Sequence, residues 1–123
     1  MEKKTVLAVD DMSMNLRTIK VILEGEYDIL LAKSGELALD ILKKTKVDLV
    51  LLDIEMPGIT GFEVIDSMRD IPGCEETPVI FITSHAAPDM IVTAYDHGAG
   101  DYIVKPINAE VLRPKVHAIL SKR

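Results

Sequence analysis

Three features of this 123-residue chain predict an α/β fold with a doubly wound, five-stranded parallel sheet. Short apolar runs alternate with segments of helical period from one end to the other. The runs are apolar on both faces, as in Leu49-Val50-Leu51-Leu52, which suits a parallel sheet covered by helices on each side. Cap and turn residues stand at the junctions, and there is no repeat, low-complexity tract or linker, so residues 1–123 are expected to form a single domain.

The pattern reads βαβαβαβαβα. Candidate strands are Thr5 to Val9, Tyr27 to Ala32, Asp48 to Leu52, Pro78 to Thr83 and Tyr102 to Val104. Ser13 is placed to cap a first helix in which Leu16, Ile19, Ile22 and Leu23 share a face. Ser34 is placed to cap a second, with Leu37, Ala38, Ile41 and Leu42 inward, and Thr60 precedes a third carrying Phe62, Ile65 and Met68. Pro88 suits the start of a fourth helix that Gly98 ends, and Asn108 suits the cap of the last. Pro114 follows six residues later, where it removes a backbone donor and presses on the carbonyl of Glu110, so a late start or a kink is expected.

Composition excludes several classes of function. A net charge of −6 argues against direct nucleic-acid binding, which uses basic patches to displace counterions from phosphates. No apolar run approaches the roughly 20 residues that cross a bilayer. Met1 to Lys4 lead straight into an apolar strand without the features of an export signal, so a cytoplasmic location is expected. The lone Cys74, beside Gly73, Glu75 and Glu76, reads as a loop thiol with no internal disulfide partner.

Strand-helix repeats put every strand's C-terminal end on one edge of the sheet, where open α/β folds bind ligands. Asp10 and Asp11 follow the first strand, Asp53 the third and Lys105 the fifth, while Thr83 ends the fourth. Singly, a strand-end Asp reads as a cap or turn former, a Thr as a β-former and a Lys before Pro as a loop charge. Their joint placement points to a site. In a sheet of order 2-1-3-4-5 the first and third strands are neighbours, and three carboxylates crowd one crevice. A hard divalent cation relieves such crowding, and Mg²⁺, which takes one or two carboxylates together with phosphate oxygens, is the natural candidate. The backbone carbonyl of Glu55 is available as a further ligand. Asp53 is the candidate nucleophile towards phosphorus, with the Lys105 charge and the Thr83 hydroxyl serving the phosphoryl oxygens.

Four segments carry a family resemblance: Val9-Asp10-Asp11, Leu52-Asp53-Ile54-Glu55-Met56-Pro57-Gly58, Thr83-Ser84 and Gly98-Ala99-Gly100-Asp101-Tyr102-Ile103-Val104-Lys105-Pro106. The whole chain resembles the receiver domain of two-component response regulators, a flavodoxin-like fold. The resemblance implies that Asp53 accepts phosphate from the phosphohistidine of a histidine kinase or phosphotransfer protein, with Mg²⁺ on Asp11, Asp53 and the Glu55 carbonyl and, through water, on Asp10. It further implies that Thr83 moves towards the phosphoryl group while Tyr102 turns inward. The surface of the fourth helix, fifth strand and fifth helix would then meet a downstream partner, a fused output domain or a second copy in a phosphorylation-dependent homodimer. Lys105-Pro106 would be cis. Glu55 and His85 occupy positions that vary in such domains, where their side chains would tune phosphoryl lifetime.

Three functions follow from these residues. The first is a phosphorylation-driven switch whose only chemistry is transfer to its own Asp53 and later hydrolysis. The second is a constitutive interaction domain, for which crowded carboxylates have no physical use. The third is a small phosphatase with an aspartyl-phosphate intermediate, which needs a substrate pocket that short loops leave little chain to build.

Overall fold

The computed structural model describes residues 3–122; the readings made of Met1, Glu2 and Arg123 lie outside the described residues. The elements run β1 (Thr5–Val9), α1 (Ser13–Leu23), β2 (Asp28–Ala32), α2 (Gly35–Lys44), β3 (Leu49–Asp53), α3 (Gly61–Met68), β4 (Val79–Thr83), α4 (Pro88–Asp96), β5 (Asp101–Val104) and α5 (Ala109–Leu120). The strands form one parallel sheet of order β2-β1-β3-β4-β5. All of β3 and β4 is buried, because each has a strand on either side and helices on both faces. Buried side chains of α2, α3 and α4 pack on one face, and those of α1 and α5 on the other.

The edge strand β2 departs from the expected two-sided burial. It pairs with β1 alone, and only Ala32 is buried. Leu37 is also exposed rather than inward, since Ala38 and Leu42 take the buried face of α2. Cys74 lies in a loop as expected, but buried in the core, its Sγ 3.8 Å from the Leu42 carbonyl oxygen.

Most helix starts follow from local chemistry. The Ser34 hydroxyl accepts from the Leu37 amide, Thr60 and Glu63 form a reciprocal capping box, and Asn108 accepts from the Val111 amide. Ser13 is not a cap. Met12 takes that position, and the turn is closed from upstream by Asp10, whose Oδ1 accepts from the Met12 amide at 2.9 Å and Oδ2 from Asn15 Nδ2 at 3.0 Å. Nor does α5 start late. It begins directly after Asn108 and runs through Pro114, where Glu110 and Pro114 are both exposed and water can take the freed carbonyl.

Two features govern the surroundings of the sheet's C-terminal edge. A Cβ on Gly61 would lie 2.6 Å from the Asp53 carbonyl oxygen, so α3 starts against the backbone of β3 only because residue 61 has no side chain. Helix α4 buries a single residue, Ala94, and has no side-chain cap at its N-terminus. Its other end is tied to α3. His97 Nδ1 lies 2.8 Å from Asp66 Oδ1, and its ring stacks on Phe62 at 4.8 Å, which in turn meets Phe81 edge-on at 5.3 Å.

Candidate functional site

β1 and β3 are hydrogen-bonded neighbours, so Asp10, one residue beyond β1, and Asp53, the last residue of β3, project from adjacent strand ends. Asp11 joins them, and carboxylate oxygens of all three lie within 4.8 Å of one another. Asp10 and Asp53 are each 1% exposed, whereas Asp11 is partly open to solvent. Lys105 is placed by its own amide, which donates to the Thr83 carbonyl at 2.8 Å. Its Nζ reaches 3.3 Å from Asp10 Oδ2 and 3.4 Å from Asp53 Oδ2. The Lys105-Pro106 bond is cis.

One cation between two buried carboxylates leaves negative charge uncompensated, and the acidities register it. Burial, and then the charge of Asp10, push Asp53 up to about 7 against the pull of Lys105. Burial alone would depress Lys105, but Asp53 and Asp10 hold it above the ordinary lysine value. Both Asp53 side-chain oxygens are buried without a hydrogen-bond partner. Buried acceptors without hydrogen bonds in a set of three carboxylates are suited to a hard cation such as Mg²⁺.

The buried Thr83 hydroxyl belongs to a second cluster. It donates to Glu55 Oε1 at 2.8 Å and accepts from the His85 amide at 2.9 Å. His85 Nδ1 approaches the same Glu55 oxygen at 3.1 Å; a carboxylate only accepts, so Nδ1 carries the hydrogen. Burial would raise the pKa of Glu55, yet the bonds from His85 and Thr83 hold it below the usual carboxylate range. Tyr102 is partly buried on β5. Its ring meets Tyr95 edge-on at 6.3 Å and lies 5.9 Å from Lys115 Nζ, which itself pairs with both oxygens of Asp101.

The structure thus brings Asp10, Asp11, Asp53 and Lys105 together and places Thr83, Glu55 and His85 in an adjoining group. One participant and one contact escaped the sequence. Asn15, which orients Asp10, sits at a helical position with no distinguishing spacing, and the side-chain bond from Thr83 to Glu55 spans 28 residues.

The sequence profile of the response regulator receiver domain matches residues 6–117. The chain belongs to that family. The chemotaxis protein CheY of Pseudomonas aeruginosa is 34% identical over 119 residues, covering 95% of this chain and 96% of that one. A probable cyclic di-GMP phosphodiesterase of Vibrio cholerae is 40% identical over 97% of this chain, which spans only 27% of that protein. The chain likewise spans 51% of the transcriptional regulatory protein YvrH of Bacillus subtilis. Among solved structures, the chemotaxis protein CheY4 of Vibrio cholerae superimposes with a TM-score of 0.91 at 29% identity, covering 96% of this chain and 99% of that one. This receiver domain is a module of phosphorylation-dependent two-component signalling. Among the described residues, no helix is long and apolar enough to cross a membrane.

Proposed function

We propose that Asp53 is the phosphoacceptor of this receiver and that the chain is one receiver unit, residues 1–123, acting in the cytoplasm. The observation that carries the reading is the pair of buried Asp53 oxygens, neither of them in a hydrogen bond, beside Asp10, Asp11 and the Lys105 ammonium. An Asp53 oxygen attacks the phosphorus of a phosphohistidine on a histidine kinase or phosphotransfer protein. The new P–O bond forms as the P–N bond breaks, and the imidazole nitrogen leaves with the electron pair. Hydrolysis reverses the loading: water attacks phosphorus and the Asp53 carboxylate departs. The receiver has no other chemistry of its own.

Asp10, Asp11, Asp53 and the Glu55 carbonyl would hold Mg²⁺, which supplies positive charge to the crowded carboxylates and the phosphoryl oxygens. Lys105 neutralises one phosphoryl oxygen and the Thr83 hydroxyl donates to another. Thr83 drawn towards the phosphoryl group leaves space for Tyr102, and the α4-β5-α5 face changes shape for a downstream partner, a fused output domain or a second copy. The side chains of Glu55 and His85 tune phosphoryl lifetime at the mouth of the site.

Incubation with a small-molecule phosphoryl donor, followed by intact mass, tests this reading. A single phosphoryl adduct is expected with Mg²⁺, none after chelation, and none in Asp53→Asn. An adduct of equal yield in Asp53→Asn would move the acceptor elsewhere. The absence of any adduct in the wild-type protein would favour a constitutive interaction domain.

A further inference from the structure

The Thr83 hydroxyl that the phosphoryl group requires is already engaged. It has one proton and two acceptors within reach, Glu55 Oε1 at 2.8 Å and the His85 carbonyl at 3.1 Å. The carboxylate is nearer and charged, so it takes the proton. The hydroxyl oxygen meanwhile accepts from the His85 amide. Neither Asp53 oxygen receives a hydrogen bond, so Thr83 serves Glu55 and not the acceptor.

The backbone keeps this arrangement in place. Asp53 is opposite Ile82 in the β3-β4 ladder, and the Ile54 amide continues the pairing by donating to the Ile82 carbonyl. Glu55 therefore leaves β3 beside the point where Thr83 ends β4. His85 Nδ1, on the same Glu55 oxygen, holds the carboxylate from the solvent side.

We propose that Glu55 is a resting-state latch on Thr83: its carboxylate competes with the phosphoryl group for the one hydroxyl proton. The latch rests on the reading of Asp53 as phosphoacceptor and adds to it an equilibrium role distinct from phosphoryl lifetime. Glu55 is a positioning residue, acting through Thr83. Phosphorylation must break the Thr83–Glu55 bond before the hydroxyl can turn, so the intrinsic preference of the receiver for its inactive shape is set at residue 55. An apolar side chain there frees Thr83 and pre-organises the active arrangement. A glutamine, which keeps an oxygen acceptor without the charge, retains part of the restraint.

Beryllofluoride, a phosphoryl mimic, reads the latch without turnover. Its affinity is measured by calorimetry at saturating Mg²⁺ for the wild type, Glu55→Ala, Glu55→Gln, Thr83→Val and the double variant Glu55→Ala/Thr83→Val. Glu55→Ala is expected to tighten binding about fivefold, the scale of one partly exposed hydrogen bond to a charged group. Glu55→Gln gives a smaller gain, and Glu55→Ala gives none in the Thr83→Val background. The coupling distinguishes the latch from plain repulsion between the Glu55 carboxylate and the bound anion. A gain that persists undiminished in Thr83→Val overturns the latch, as does wild-type affinity in Glu55→Ala. Wild-type protein that binds no beryllofluoride overturns the phosphoacceptor reading itself.

Discussion

Replacing Asp53 by Asn is expected to stabilise the metal-free protein, and to do so more at high pH. The folded carboxyl has a pKa of about 7 against 3.8 when unperturbed. The folded state therefore holds a proton that the unfolded chain has lost, and stability present below about pH 4 falls as pH rises through 7. At 1.36 kcal/mol for each pH unit, the full cost at pH 8 approaches roughly 4 kcal/mol. The crevice is open beside Asp11, so water and a Lys105 shift relieve part of the charge, and about 2 kcal/mol is the expected gain from Asp53→Asn. At pH 5 most of the cost is absent and the gain falls below about 1 kcal/mol. Urea unfolding of both proteins in chelator at the two pH values measures the gap, and the common titrations of other groups cancel in the difference. Saturating Mg²⁺ should then close it, because the cation favours the wild-type carboxylate set. An Asn variant no more stable than wild type at pH 8, or a gap that does not change with pH, would refute the electrostatic argument.

Two further substitutions probe the same frame. Lys105→Met removes the cation between Asp10 and Asp53; at pH 8 in chelator it is expected to cost about 1–2 kcal/mol and to push the Asp53 pKa further upward, both visible by denaturation and carboxyl NMR. Gly61→Ala puts a Cβ 2.6 Å from the Asp53 carbonyl oxygen. It should cost about 1–3 kcal/mol and impair phosphoryl uptake, while Gly25→Ala, which meets nothing within 4 Å, stays near neutral in both assays.

The sheet was legible because two-sided burial writes itself into β3 and β4 as unbroken apolar runs, and five polar residues at strand ends followed once the strands were placed. Capping was legible where the side chain bonds within three residues, as at Ser34, Thr60 and Asn108. It failed at Ser13, where Asp10 closes the turn from outside the helix. Leu37 and the exposed edge of β2 were obscured because exposure there depends on which neighbour is missing, a property of the assembled sheet. The Thr83–Glu55 bond was invisible for a related reason: it depends on the β3-β4 register carrying the end of β4 against the loop after β3. Sequence placed both residues near the site without revealing that they touch.

The unequal anchoring of α4 gives the receiver a lever. At the Pro88 end the helix has no side-chain cap and adjoins the segment leading from Thr83, while at the far end His97 is stacked on Phe62 and tied to Asp66. If phosphorylation displaces residues 84–87 as proposed, the push would reach α4 at its uncapped end and swing it about the His97 end instead of sliding it. Travel would then be greatest next to Asp53 and least at His97, and Val92 and Tyr95, exposed between them, would change their tilt against β5 more than their distance from it. A partner reading that face would detect an angle.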